Sequence, residues 1–316
     1  MQRPDSSSSP RALAALLAGA TGIGFAPVLV RLSHVGPSAI AFYRLLFALP
    51  LLWLWLAFER ASTKSNPQAT RQPTITKRDI AAFAIAGIFF TIDLAVWHWS
   101  LRFTSVANST LLANFAPLFV TVGAWFFLHE RIAPLFLVGM LIAISGAGLL
   151  VSTSLGFSSR HVLGDVLAIT AALFYAGYLL SVKNLRTRFS TVTIMAWSGI
   201  FSTAGLFAAA VLSHDRLWPP TRHDWLVLIA LALVSHLGGQ TLIAYAFGHL
   251  PASISSLNLL LQPVVAAAAA WIALHEPVTW PQAIGAAVVL VGLLIGNRSR
   301  KPALETQPPG VVIPAP

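Results

Sequence analysis

The feature that most constrains this chain is a succession of ten mostly apolar stretches, each of about 20 residues, the length that carries an α-helix across the hydrocarbon core of a bilayer. They fall at about 12–30, 38–58, 80–101, 105–128, 133–152, 163–182, 190–212, 224–247, 252–274 and 279–297 of the 316 residues. Charged residues make up 9% of the chain, where a soluble domain carries about 25%. So few cannot cover the surface of a water-soluble globule. That sets aside a soluble enzyme, a nucleic-acid-binding protein and a disordered scaffold. Inside a bilayer each span must pair its own backbone polar groups. The expected fold class is therefore all-α, a polytopic membrane protein with ten transmembrane helices. The chain has no cysteine, which excludes disulfides, thiolate metal sites and cysteine nucleophiles.

Connections are mostly short, so neighbouring spans run antiparallel. The longest, Glu59 to Arg78, is polar and basic and holds Pro67 and Pro73. Residues 1–11 and 298–316 are Ser- or Pro-rich and read as disordered tails. Arg3 and Arg11 ahead of an apolar run, with Ala18-Gly19-Ala20 inside it, have the outline of a signal peptide. The run continues through Val30, too long for a signal core, and counts as the first membrane helix. Asp79, Asp165 and Asp224 each precede an apolar run, where a carboxylate pairs with free backbone N–H groups and the positive end of the helix dipole.

Orientation follows from the placement of Lys and Arg. With a cytoplasmic N-terminus, 14 of the 20 lie on the inner side and five on the outer: Arg31, Arg102, Arg160, Arg216 and Arg222. Both termini are thus expected in the cytoplasm of a bacterial inner (plasma) membrane. The formal charge of +10 then reads as a topology signal, with anionic lipid headgroups as the partner and no nucleic acid.

Shifting the chain by 146 positions brings Ser109–Leu150 into register with Ser255–Gly296. Ser109, Leu111, Pro117, Ala124, Trp125, Leu128, His129, Glu130, Gly139 and Gly146 match Ser255, Leu257, Pro263, Ala270, Trp271, Leu274, His275, Glu276, Gly285 and Gly292. Spans 4–5 are therefore duplicated in spans 9–10. Two five-helix repeats, 12–152 and 163–297, follow, and five is odd, so the second enters the membrane inverted. Inverted repeats build many secondary transporters, with a substrate site near the midplane between the repeats; a channel can grow by duplication as well. No phosphate-binding Gly-x-x-x-x-Gly-Lys loop is present, which argues against ATP-driven pumping by this chain alone.

The stretch SLRFTSVANSTLLANFAPLFVTVGAWFFLHERI from Ser100, and its second copy AFGHLPASISSLNLLLQPVVAAAAAWIALHEPV, resemble the repeat signature of the EamA family in the drug/metabolite transporter (DMT) superfamily. The run AFYRLLFALP, Ala41 to Pro50, is similar to that family's second span. The resemblance covers about 12–297 and is weak in spans 6 and 7. It departs from the pattern at His129 and His275, where the family usually has Gly before Glu. It implies ten helices, a central cavity between two halves, and export or exchange of small metabolites such as amino acids or drugs.

A charge deep in a span is costly and marks a functional candidate. Arg44 lies roughly 9 Å into span 2 and Asp93 roughly 12 Å into span 3, both from the outer face, at about 1.5 Å per residue. They read either as a structural ion pair or as cavity lining, with Arg44 drawing a substrate carboxylate. As the one deep carboxylate, Asp93 is the first candidate for proton coupling. Glu130 and Glu276 end spans 4 and 9 and read as helix-end locks or gate elements. Ala133 and Thr279 stand where a His-Glu-x-x-His zinc motif would need its second His, so neither a metal site nor a cofactor is expected.

Pro117 and Pro263 near the middle of spans 4 and 9 are expected to kink them. Beside them run polar stripes at helical spacing, with Thr110, Asn114 and Thr121 on span 4 and Ser255, Asn258 and Gln262 on span 9. These serve as interhelical glue or as cavity lining. Trp97 and His98, Tyr175 and Tyr178, and His236 and Gln240 complete a set able to enclose an amphipathic solute. Trp218 and Trp280 read as interfacial anchors. The expected function is secondary active transport, as an exporter, of small metabolites by alternating access. A channel or facilitator for small polar solutes and an integral-membrane enzyme are the alternatives. Proton coupling and a homodimer stay open.

Overall fold

The structure, a computed structural model, describes residues 8–65, 73–104, 109, 112–151, 161–275 and 278–299. Among them no strand occurs. Ten apolar helices follow one another: α1 Pro10–Leu32, α2 Pro37–Thr63, α3 Lys77–Ser100, α4 Ala116–Phe127, α5 Pro134–Leu150, α6 Val162–Leu185, α7 Thr191–Leu212, α8 Arg222–Phe247, α9 Ala252–Leu274 and α10 Trp280–Arg298. Eight are long and apolar enough to cross a bilayer, and α4 and α5 are shorter. Large apolar side chains cover the outside, with Phe127 70% and Ile272 69% exposed. In water each would forgo about 1.5–3 kcal/mol of burial; in hydrocarbon it is solvated. The chain is a multi-pass membrane protein.

Short-range chemistry sets the helix ends. Thr76 with Asp79 starts α3, and Thr221 with Asp224 starts α8, each as a reciprocal capping box. These two acids therefore sit where the sequence placed them, against free N–H groups. They also tie elements together. Asp79 accepts from Arg188 at 2.6 Å, and Asp224 accepts from the His34 backbone N–H at 2.7 Å. Asp165 accepts from Thr104 Oγ1 at 2.7 Å, joining the exit of α3 to the start of α6.

Three expectations change. Helix begins at Ser8, inside the expected tail, because Pro10 falls in a first turn that needs no N–H from it. The α2 helix runs on to Ser65, through residues expected in the loop; Glu59, Arg60, Ala61 and Lys64 are good helix formers, and no proline intervenes. Pro117 and Pro263 do not kink continuous helices. Regular helix in α4 restarts at Ala116 after a tight turn in which Phe115 N–H donates to Leu112 O at 3.1 Å. The α9 segment consists of Ala252–Asn258 and Leu261–Leu274, joined by a similar turn with Leu260 N–H on Leu257 O at 3.1 Å. Each proline lies in the first turn of a new helix, where its missing donor costs nothing.

Two further irregularities have no counterpart in the sequence reading. The first helix breaks at Phe25, between Ser8–Gly24 and Ala26–Leu32, and α8 is π-helical from Leu231 to Gln240. By contrast, α5 and α10 pack straight against each other. A Cβ on Gly139 would stand 2.7 Å from Gly292 O, and one on Gly285 would stand 2.7 Å from Gly146 O. Those contacts are repeat-related, so the two copies meet across a pseudo-two-fold axis at a distance only small residues allow.

Candidate functional site

A cavity of about 140 Å³ lies where the helices are broken. Its wall takes Gly24, Ala26 and Pro27 from the α1 break, Arg44 from α2, and Phe90, Asp93, Trp97 and His98 from α3. Asn114 and Pro117 come from the α4 restart, Tyr175 from α6, Gln240 from α8, and Gln262 and Pro263 from α9. On α1, α2 and α3 the lining positions fall in the half nearer Asp215, which binds Arg102 and accepts from Ser38 N–H at 2.7 Å. The cavity thus runs from mid-depth toward the Asp215 end.

Arg44 and Asp93 are 8% and 9% exposed. Each lies within electrostatic reach of the other, yet they form no contact ion pair. Among the described residues such pairs join His34 with Asp224, Arg102 with Asp215 and Arg188 with Asp79. Arg44 Nη2 instead donates to Ser235 O at 3.5 Å, and its Nε has no partner. The π-helical turns of α8 offer that carbonyl. The structural ion-pair reading is corrected accordingly: α2 and α3 are not locked by these charges, which both border the cavity.

Trp97, His98, Asn114, Tyr175, Gln240 and Gln262 share that cavity. Tyr178 and His236 do not reach its wall. They stack on Phe90, with ring centroids 4.5 and 5.8 Å away, and so back the lining. Asn258 is also elsewhere. Its amide exchanges hydrogen bonds with Asn297 of α10 at 2.9 and 3.0 Å, since a buried amide must find partners and Asn297 offers both kinds. Thr121 Oγ1 donates to Pro117 O at 2.7 Å and faces Met140 of α5. Thr110 and Glu276 lie outside the described residues.

Glu130, in the α4–α5 connection, clamps the start of α9. Its carboxylate accepts from Ala252 N–H at 2.6 Å, Ser253 N–H at 3.1 Å and Ser253 Oγ at 2.8 Å. An anion on free N–H groups at a helix N-terminus is stabilised by both charge-assisted hydrogen bonds and the dipole. Nearby Lys183 Nζ donates to Leu250 O at 2.7 Å. These bonds tie the α4–α5 connection and α6 to the α8–α9 turn. His129 and His275, just before the two glutamates, have φ of 54° and 55°, the left-handed region in which glycine is unstrained.

The sequence reading missed Phe25, Phe90 and the α1 break. Gly22, Gly24 and Pro27 within one span were the available signal, the pattern of a discontinuous helix. Gly238-Gly239 was the signal for the wide turns of α8. Among the described residues no cluster of three His, Asp or Glu could hold a metal ion.

The EamA-like transporter family profile matches residues 10–152 and 162–298, one copy on each repeat. An uncharacterized transporter of Archaeoglobus fulgidus is 25% identical over 84% of this chain and 89% of its own length. The pseudopaline exporter of Pseudomonas aeruginosa is 25% identical over 72% of this chain and 78% of its own. A protein named "Probable terminal-alkyne amino-acid exporter" from Streptantibioticus cattleyicolor is 25% identical over 79% and 83%. One crystal structure, 17% identical, superposes with a TM-score of 0.74 over 92% of this chain and 98% of that one, a likeness of fold. Two family matches that together span nearly the whole membrane region, on a ten-helix duplicated bundle, settle the relationship: the chain belongs to the EamA-like transporter family.

Proposed function

We propose that this chain is a secondary transporter that exports small metabolites by alternating access, seated in a bacterial inner membrane with both termini in the cytoplasm. Relatives named as exporters of pseudopaline and of an amino acid support solute export on this fold. One observation carries the reading. A mainly apolar cavity with a few polar and charged groups on its wall approaches one end of the bundle, while Glu130 and Lys183 tie helices together at the other. Under the charge-count orientation the tied end faces the cytoplasm, so this is an outward-facing state. Repeats 12–152 and 163–297 would rock about the α5–α10 seam, releasing Glu130 from α9 as the Asp215 end closes.

In this reading Arg44 draws the carboxylate of the solute, and Asn114, Gln240 and Gln262 orient its polar groups. Trp97, Tyr175 and Phe90 hold its apolar part. Asp93 is the proton-coupling group, the one carboxylate on the cavity wall. The test is reconstitution into vesicles loaded with amino acids. Saturable counterflow of a labelled solute supports a carrier, whereas an unsaturated ohmic current supports a channel and contradicts the proposal.

A further inference from the structure

His98 is on α3, 2% exposed, and borders the cavity. Its Nδ1 is 2.6 Å from the carbonyl of Leu94, one turn earlier. A carbonyl can only accept, so Nδ1 carries the proton, and in the neutral ring Nε2 is an acceptor. Among the described residues no donor reaches Nε2. Elsewhere on the wall the unmet groups are of the opposite kind: Arg44 Nε, Gln240 Nε2 and Gln262 Nε2 are buried N–H donors without partners. Buried polar groups are normally paired. The matching solute brings oxygen acceptors to the three donors and an N–H to His98.

We propose that His98 is a specificity-determining residue whose Nε2 accepts a hydrogen bond from an ammonium N–H of the solute, so that the cavity takes amino-carboxylates with free N–H groups and rejects their quaternary-ammonium forms. The proposal rests on this cavity being the solute site. Net charge alone cannot make the distinction, because both forms are cationic at nitrogen. An acceptor that must be satisfied can, since a site built to hydrogen-bond a group discriminates strongly against the analogue lacking it. Asp93 on the same wall is a second acceptor that favours the ammonium form. The Leu94 bond holds the ring in the required tautomer without a partner from another helix.

The test is equilibrium titration of the purified full chain in detergent with L-leucine and with N,N,N-trimethyl-L-leucine, an aliphatic side chain that suits the wall formed by Ile23, Val30 and Phe90. The wild type should bind leucine at least about tenfold more tightly. His98→Leu, similar in volume but without an acceptor, should weaken leucine by about that factor and leave trimethyl-leucine unchanged. His98→Gln, whose amide can place an oxygen near the Nε2 position, should keep the preference. A preference that survives His98→Leu comes from shape or from Asp93 and overturns the assignment, as does equal weakening of both probes or wild-type protein that does not bind leucine. Should His98→Leu fail to fold, His98→Phe, which also lacks an acceptor, replaces it: a lost preference supports the assignment and a kept one overturns it. Leucine binding without counterflow in vesicles would contradict the transporter reading while leaving His98 in its role.

Discussion

The α5–α10 seam and the cavity are made by the same duplication, yet they differ in every physical respect. At the seam Gly139, Gly146, Gly285 and Gly292 bring two unbroken helices into backbone contact, and no charge takes part. Around the cavity three helices are interrupted, a fourth is wound as a π-helix, and lining residues hold buried donors without partners. Close packing has few alternative arrangements, whereas broken helices with unspent hydrogen bonds have several. The contrast assigns immobility to the seam and rearrangement to the cavity. Substitutions can be chosen to break either side of it.

The largest effect is expected at the seam. Gly146→Val or Gly292→Leu would drive a side chain into the facing backbone, at a cost of about 3 kcal/mol or more. The readout is the fraction of detergent-purified protein eluting as one monodisperse species, which should collapse. Intact protein with altered transport would mean that the seam moves. Next come the cavity charges. Arg44→Ala should lower counterflow about 10- to 100-fold through loss of a charged hydrogen-bond donor, with the elution profile retained. Asp93→Asn should abolish pH-gradient-driven uphill movement and retain exchange. Unchanged accumulation would remove Asp93 from coupling and leave it a polar wall. A double-mutant cycle on the two should show coupling, because each lies in the other's field; additive losses would separate them.

Glu130→Gln should act more gently. It keeps one of the two acceptor oxygens in use and loses the charge at the α9 N-terminus, together worth about 1 kcal/mol or more. That shifts the inward-to-outward ratio roughly fivefold toward inward, read as cytoplasmic labelling of a cavity cysteine. The smallest change is expected from His129→Gly, which relieves a left-handed residue by about 1 kcal/mol and should raise the melting temperature slightly without altering transport. No rise would imply that the histidine ring makes a compensating contact.

The duplication behind the seam was legible in the sequence, with Gly139 and Gly146 repeated as Gly285 and Gly292, because a repeat is a one-dimensional pattern; that those glycines meet was not. Ten spans, the antiparallel order and the Asp79 and Asp224 caps came through for the same reason. Much of the cavity was legible too, since Arg44 and Asp93 are conspicuous in apolar surroundings. What could not be read is which side of a helix a polar residue faces once that helix breaks. Asn258 lies on the stripe with Gln262, but the turn at Leu259 and Leu260 rotates the next segment, so Gln262 meets the cavity and Asn258 meets Asn297. Tyr178 and His236 show a second limit, because helical spacing cannot tell a lining ring from the ring stacked behind it. The Glu130 clamp was half visible, as a helix-end acid whose partner lies across the repeat boundary.

The central claim is that the cavity is open at the Asp215 end, on the outside of the membrane, and closed at the Glu130 end. Because the chain has no cysteine, Ala266 on the cavity wall can be replaced to give a single thiol, Ala266→Cys. The measurement is its labelling by a membrane-impermeant maleimide in intact cells and in inside-out vesicles. Rapid labelling from outside, slow labelling from the cytoplasmic face, and faster cytoplasmic labelling when Glu130→Gln is added are the expected results. Labelling confined to the cytoplasmic face of the unmodified background, unaffected by Glu130, would contradict the account.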